Sequence, residues 1–218
     1  MGPGRHLRRD AHIIAVVAAS VLALVACGSP KYHYVKSTSD HTFMRLPAAW
    51  KLYNEDQIFA SGTRSPEATD QVKKLTWSVA FDSSPSPSLT HILTQADHPS
   101  GLVQVRTLLP EERDTFSLSQ LRSLLLPFDP LSDEAKTNAD VEVLKLTDVK
   151  RAGGLHGSEI LFNMKTTEGV VLKWRQIALT DASVSKVHVL AISCGTACYA
   201  ANEGTIDNIM ASWRVTGE

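Results

Sequence analysis

Cys194 and Cys198 stand as Cys-Gly-Thr-Ala-Cys, and a third thiol, Cys27, closes an apolar run near the start of the 218-residue chain. Paired thiols outside the cytoplasm oxidise. Three residues separate Cys194 from Cys198, where thioredoxin-like redox motifs have two. No second pair of ligands stands nearby to complete a zinc site. The expectation is a structural disulfide whose short loop stabilises by about 2 kcal/mol. Free thiols and a redox switch are the alternatives.

Hydrolytic chemistry needs a serine, a histidine and an acid, the serine often within Gly-x-Ser-x-Gly. The nearest segment is Gly154-Leu-His156-Gly157-Ser158, which lacks that spacing and follows a Gly-Gly turn signal. His91 and His98 lie seven apart across a loop, and His188 belongs to an apolar strand. His33 and His41 flank the first hairpin and can approach each other across it, but two imidazoles are not a site. Asp129, Asp133 and Glu134 form an acidic knot without the spacing of a calcium loop. No Walker sequence or Gly-x-Gly-x-x-Gly offers a phosphate cradle. Neither enzyme chemistry nor a metal or cofactor is expected. The charge of −1 also speaks against a nucleic-acid binder that works by basic excess.

Cys27 has a different setting. Arg5, Arg8 and Arg9 precede the 14-residue run Ile13–Ala26, which is interrupted only by Ser20. A basic start and a short apolar stretch make an export signal. The run falls short of the ~20 residues a membrane span requires. Its end, Leu24-Val25-Ala26-Cys27, resembles the bacterial lipobox. That resemblance implies cleavage after residue 26 and a diacylglycerol on the Cys27 thiol, and two or more acyl chains anchor firmly where one holds only marginally. A plain secretory signal with an incidental cysteine is the alternative. Arg8-Arg9 raises twin-arginine export, which its neighbours fit poorly. Without Arg5, Arg8, Arg9 and Asp10 the remainder has 19 basic and 22 acidic residues, net −3. Only Gly28 to Lys31 separate Cys27 from the first strand signal at Tyr32, a reach on the order of 15 Å. The expected organisation is a signal at 1–26, a lipidated tether at 27–31 and one domain at 32–218.

Within that domain, period-two alternation predicts strands over 32–36, 41–46, 76–83, 101–109, 141–149, 159–165, 170–179 and 186–193. In the last, Val187, Val189 and Ala191 share one face and Leu190 and Ile192 the other, as in a strand covered on both sides. Short connections make these late strands antiparallel neighbours. Residues 54–71 read as a polar loop or a short helix. Thr115–Leu126 reads as a helix capped by Ser117 and stopped by Pro127 and Pro130, and Tyr199–Trp213 as a second. Trp50 closes one end of the core, and Trp77 and Trp213 lie on apolar faces and read as core. Trp174, between Lys173 and Arg175, is either core or an exposed aromatic for lipid or a partner. Leu124-Leu-Leu-Pro-Phe128 either closes the core or lines an apolar groove.

Phe43-x-x-x-Pro47-x-x-Trp50 in the early hairpin, the late meander, and the terminal Ala211-Ser212-Trp213 resemble the LpqN-like lipoproteins of mycobacteria, whose domain is PsbP-like. The resemblance covers roughly residues 32–215. It implies an α+β fold, an α/β/α sandwich with a central antiparallel sheet, and a non-catalytic binding or accessory role at the outer face of the cytoplasmic membrane. The partner would be an envelope protein or lipid. A carrier of a small apolar ligand and a hydrolase on envelope substrates are the rival readings.

Overall fold

The polypeptide alternates apolar and polar side chains along most of its strands, so each strand has a face to bury. The structure, a computed structural model, describes residues 30–60, 62, 65–126 and 128–216. The expectations for the leader, for Cys27 and for Pro127 lie outside the described residues. The chain divides into Met1–Lys31 and Tyr32–Glu218, and every element below belongs to the second unit.

Two sheets form. Strands β1 (Tyr32–Ser37) and β2 (Thr42–Pro47) make a hairpin, and β10 (Arg214–Val215) pairs with β2 on its other side, so the order is β1-β2-β10. The large sheet holds β3 (Lys51–Tyr53), β4 (Thr76–Asp82), β5 (Ser100–Thr107), β6 (Val141–Lys150), β7 (His156–Lys165), β8 (Val171–Thr180) and β9 (Lys186–Gly195). Their order is β3-β4-β5-β9-β8-β7-β6, and every pairing is antiparallel. The α-helices among the described residues are α1 (Glu55–Ala60), α2 (Pro66–Leu75), α3 (Pro110–Arg113), α4 (Leu118–Arg122), α5 (Asp133–Thr137) and α6 (Thr196–Ser212). This is the expected α+β architecture with a central antiparallel sheet.

The doubly apolar β9 lies in the middle of the seven strands, and Val187 through Ile192 are all buried. One face of the sheet carries Phe81, Val103, Leu179, Leu190 and Ile192, covered by Ile206, Ile209, Met210 and Trp213 of α6 and by Val35, Met44 and Leu46 of the small sheet. Each such side chain contributes about 1.5–3 kcal/mol by leaving water. Arg175 of β8 fixes the helix to this face: its Nε donates to Glu159 of β7 at 2.7 Å, and its Nη1 pairs with Asp207 of α6. The second face buries Ile160, Phe162, Trp174 and Ala191 beneath Leu93 and Leu126, and Ala178, Val187 and Val189 beneath Leu108 and Leu121. Strand β6 is the long open edge, with a register shift between Val143 and Lys145 that interrupts regular pairing.

Several expectations are corrected. Residues 54–71 are not one loop or short helix, because α1 and α2 divide the segment. Ser65 caps α2, accepting from the Ala68 N–H at 3.3 Å, Pro66 opens it, and Lys73 and Lys74 close it. The helix expected over 115–126 is only α4. Ser117 caps it as expected, accepting from the Gln120 N–H at 3.2 Å. The Ser123 hydroxyl then turns back to the Ser119 and Gln120 carbonyls, at 3.0 and 3.3 Å. A proline at 127 has no N–H to continue the ladder to residue 123. The first hairpin builds its own sheet with β10. His33 lies opposite Leu46 whereas His41 sits in the turn with φ +48°, so the two imidazoles stand at opposite ends of the hairpin.

Candidate functional site

Strand pairing puts Trp77, Val105, His188 and Leu179 in one row across β4, β5, β9 and β8. The β1–β2 turn, with Ser39, Asp40 and His41, shares recesses with this row. Strand β3 pairs only with Ala80, Phe81 and Asp82, so residues 76–79 of β4 have no strand beyond them. Trp77 therefore differs from the expected core residue. One side packs against the core, while the half-buried ring walls two recesses.

The first recess, about 350 Å³, is lined by Tyr34, Lys36, Leu52, Tyr53, Gln57 and Val79 along with Trp77. The second, about 310 Å³, has Asp40, Glu55, Lys74, Val105 and Thr107 around the same ring. An aromatic floor with cations and amides at the rim suits a partner that offers both apolar surface and polar groups. The Lys51 ammonium stands 5.8 Å from the centre of the Tyr53 ring. Glu55 has a buried Oε1 without a hydrogen-bond partner among the described residues, and burial pushes its carboxyl above the ordinary range. Lys73 pairs with Asp56 at 2.8 Å.

Behind this groove lies a cavity of about 20 Å³ among Asp40, Leu155, Asp181, Lys186 and His188, room for one water molecule. Asp40 accepts from the Ser37 hydroxyl at 2.6 Å and pairs with Lys186 at 3.3 Å. Burial raises its pKa, but these partners outweigh burial and hold it below the usual value. Asp181 accepts from the Ser185 N–H at 2.6 Å and from the Ser185 hydroxyl, and it too is held low against burial. His188 is 3% exposed and its Nδ1 has no partner among the described residues. Burial drives its pKa down to about 4, more than the attraction of Asp40 and Asp181 can reverse. A neutral imidazole can accept a proton, and the recess that it lines has room for one water.

The other sequence candidates separate. His156 bonds to the Gly154 carbonyl at 3.0 Å, and Ser158 is buried in β7. No hydrogen bond joins the two among the described residues. His91 meets Asp82 instead of His98: its Nδ1 donates to Asp82 Oδ2 at 2.8 Å. The Asp82 side chain is 0% exposed and also accepts from the Ser84 N–H at 2.8 Å, the Ser88 N–H at 2.9 Å and Gln95 Nε2 at 2.7 Å. This carboxylate pins the whole 83–99 connection. Among the described residues no cluster of three potential metal ligands forms. Asp129 is held by Arg122 through two bonds, at 2.8 and 2.6 Å, and Asp133 by Lys136 at 2.9 Å. Trp174 is buried against Phe162 at 5.9 Å between centroids, so the core alternative is the one realised. Leu126 closes the second-face core, and Leu124 edges a recess whose other walls include Arg106, Glu111 and Gln120. Cys194 is the last residue but one of β9 and Cys198 lies in the first turn of α6, at disulfide distance with Cα atoms 5.9 Å apart.

No protein-family model and no curated protein sequence matches the chain. Among solved structures the chain is similar to the cyanobacterial PsbP protein of Synechocystis sp. PCC 6803, with 11% identity, TM-score 0.48, and coverage of 87% of this chain and 95% of that one. It is similar to LpqN of Mycobacterium tuberculosis, a protein involved in cell envelope biogenesis, with 13% identity, TM-score 0.44, and coverage of 85% and 90%. The Ran-binding protein Mog1p of Saccharomyces cerevisiae gives 11% identity, TM-score 0.41, and coverage of 87% and 97%.

Proposed function

We propose that this chain is an LpqN-like lipoprotein, anchored through Cys27 at the outer face of the cytoplasmic membrane, whose domain binds an envelope protein in the groove around Trp77. The role is accessory, in envelope lipid export or cell-wall assembly, and non-catalytic. The observation that carries the binding reading is the half-buried Trp77 ring shared by two recesses of several hundred Å³. By contrast, the titratable cluster beside it encloses space for one water. Room for a partner lies where the aromatic and amide groups are. The anchor reading rests on Leu24-Val25-Ala26-Cys27 and the short tether.

The test is in-cell photocrosslinking from a benzophenone amino acid at position 77 of the full chain. One envelope protein, captured reproducibly and lost when Tyr53→Ala alters the groove wall, is the expected result. Crosslinks to lipid alone, or none, overturn the groove reading. The anchor is tested separately: Cys27→Ala should abolish palmitate labelling and release the protein from membranes, and unchanged membrane retention of that variant refutes it.

A further inference from the structure

The small sheet has an inner face, Val35, Met44 and Leu46, that packs into the core. Its outer face follows from the register. Tyr32 lies opposite Pro47, Tyr34 opposite Arg45, and Lys36 opposite Phe43, while Arg214 of β10 pairs with Phe43 from the other side. One surface thus gathers Tyr32, Tyr34, Phe43, Lys36, Arg45 and Arg214, and its Tyr34 and Lys36 edge also borders the first recess beside Trp77. Tyr34 is 65% exposed and Tyr32 is 40% exposed. The Tyr34 and Phe43 rings stack at 6.1 Å, and the Arg45 guanidinium lies 5.4 Å from the centre of the Tyr32 ring. The three strands contain no aspartate or glutamate. Asp40, the acid in the connecting turn, is engaged with Lys186.

We infer that this outer face rests on an anionic lipid surface. Tyrosine favours the membrane interface, where its ring lies in the apolar boundary and its hydroxyl stays wet. Lysine and arginine beside it are drawn to anionic headgroups, each by about fivefold in partition. The chain as a whole is net −1, so this attraction is a property of the patch and is absent from the protein's overall charge. The path of the chain agrees. Tyr32 follows Lys31 directly, and four residues separate it from Cys27, on the order of 15 Å of chain. The inference deepens the anchored reading, which brings the face to the membrane, but its chemistry belongs to the domain and can be measured without the lipid.

The experiment uses the chain from residue 27 with Cys27→Ala, so that no acyl group contributes. Sedimentation partition is measured on vesicles of equal parts phosphatidylglycerol and phosphatidylcholine, and on pure phosphatidylcholine. Partition at least about tenfold higher on the anionic vesicles is expected, falling as salt screens the headgroups. Arg45→Gln and Arg214→Gln should each reduce it about fivefold, and Tyr34→Ser should reduce it further. Lys145→Gln, on the far edge strand, should leave it unchanged. These side chains are exposed, and thermal melts matching the parent confirm intact folding. Equal partition on both vesicle types, or the same loss from Lys145→Gln as from Arg45→Gln, overturns the inference. So does absence of vesicle binding together with capture of a protein by a photocrosslinker at position 34. Failure here while the full chain is labelled by palmitate at Cys27 in cells sinks the face alone, whereas vesicle binding here together with no palmitate label on the full chain in cells sinks only the anchor.

Discussion

His188 makes the stability of the fold depend on acid in a calculable way. In the folded chain burial takes its pKa down to about 4 from 6.5. Above the unfolded value the imidazole is neutral in both states and titration contributes nothing to the balance. As pH falls below 6.5, the unfolded chain takes up a proton that the folded chain refuses until pH approaches 4, so stability is lost across that window. The full shift corresponds to about 3 kcal/mol, and about 2 kcal/mol of it is gone by pH 5. Carboxylates common to parent and variant, the raised Glu55 included, cancel in the comparison, and Asp40 and Asp181 beside the ring are held below a reference value of 3.8 and report only in stronger acid. The perturbation is His188→Leu, and the assay is urea unfolding of the parent and the variant at pH 7.5 and pH 5. The informative quantity is the difference between the two pH responses, since any packing cost of the leucine cancels in it. The parent should lose about 2 kcal/mol more than the variant on acidification. Equal losses would refute the reasoning and mean that the buried ring is solvated or already shares its proton.

Two other substitutions probe groups that hold the site in place. Asp82→Ala leaves the donors from Ser84, Ser88, His91 and Gln95 without their acceptor; we expect a loss of about 3 kcal/mol and faster amide hydrogen exchange over residues 83–99, read by mass spectrometry. Gly101→Ala should cost about 3 kcal/mol, because a Cβ there overlaps the Phe81 ring and the Ala191 carbonyl of the neighbouring strand; an unchanged urea midpoint would show that β5 can shift, contrary to this packing.

What the sequence discloses here is what repeats within a few residues. Strand β9 could be placed at the centre because Val187, Val189 and Ala191 alternate with Leu190 and Ile192, and a strand apolar on both sides has no place at a wet edge. The Ser117 cap was equally plain, since its partner Gln120 lies three residues away. Helix α2 was missed although Ser65 and Pro66 announce it, because it has no buried residue and so shows no apolar stripe. Trp77 read as core because alternation names a face without telling how far the neighbouring strand extends. Its partial exposure follows from a β3 of three residues, which pairs with Ala80, Phe81 and Asp82 and stops short of Trp77. The role of Asp82 is not legible in the sequence, because its donors are spread from Ser84 to Gln95 and converge only in the folded loop. The outer face of the small sheet was likewise hidden, because β10 joins it from the other end of the chain.

That last pairing has a consequence for how the protein is made. Trp213 Nε1 donates to the Thr42 hydroxyl at 3.1 Å across a sequence separation of 171, beside the pairing of Arg214 with Phe43. A contact so distant along the chain forms only after a large loop has closed, which places it among the slow steps of folding. During synthesis the first hairpin emerges early in the domain and is secured late, because its third strand follows all seven strands of the large sheet and α6. Its two early strands must wait, with their apolar side uncovered, for α6 and β10 to arrive. A chain stopped before Trp213 would leave that hairpin unlatched, so completion of the small sheet records that synthesis has passed β10.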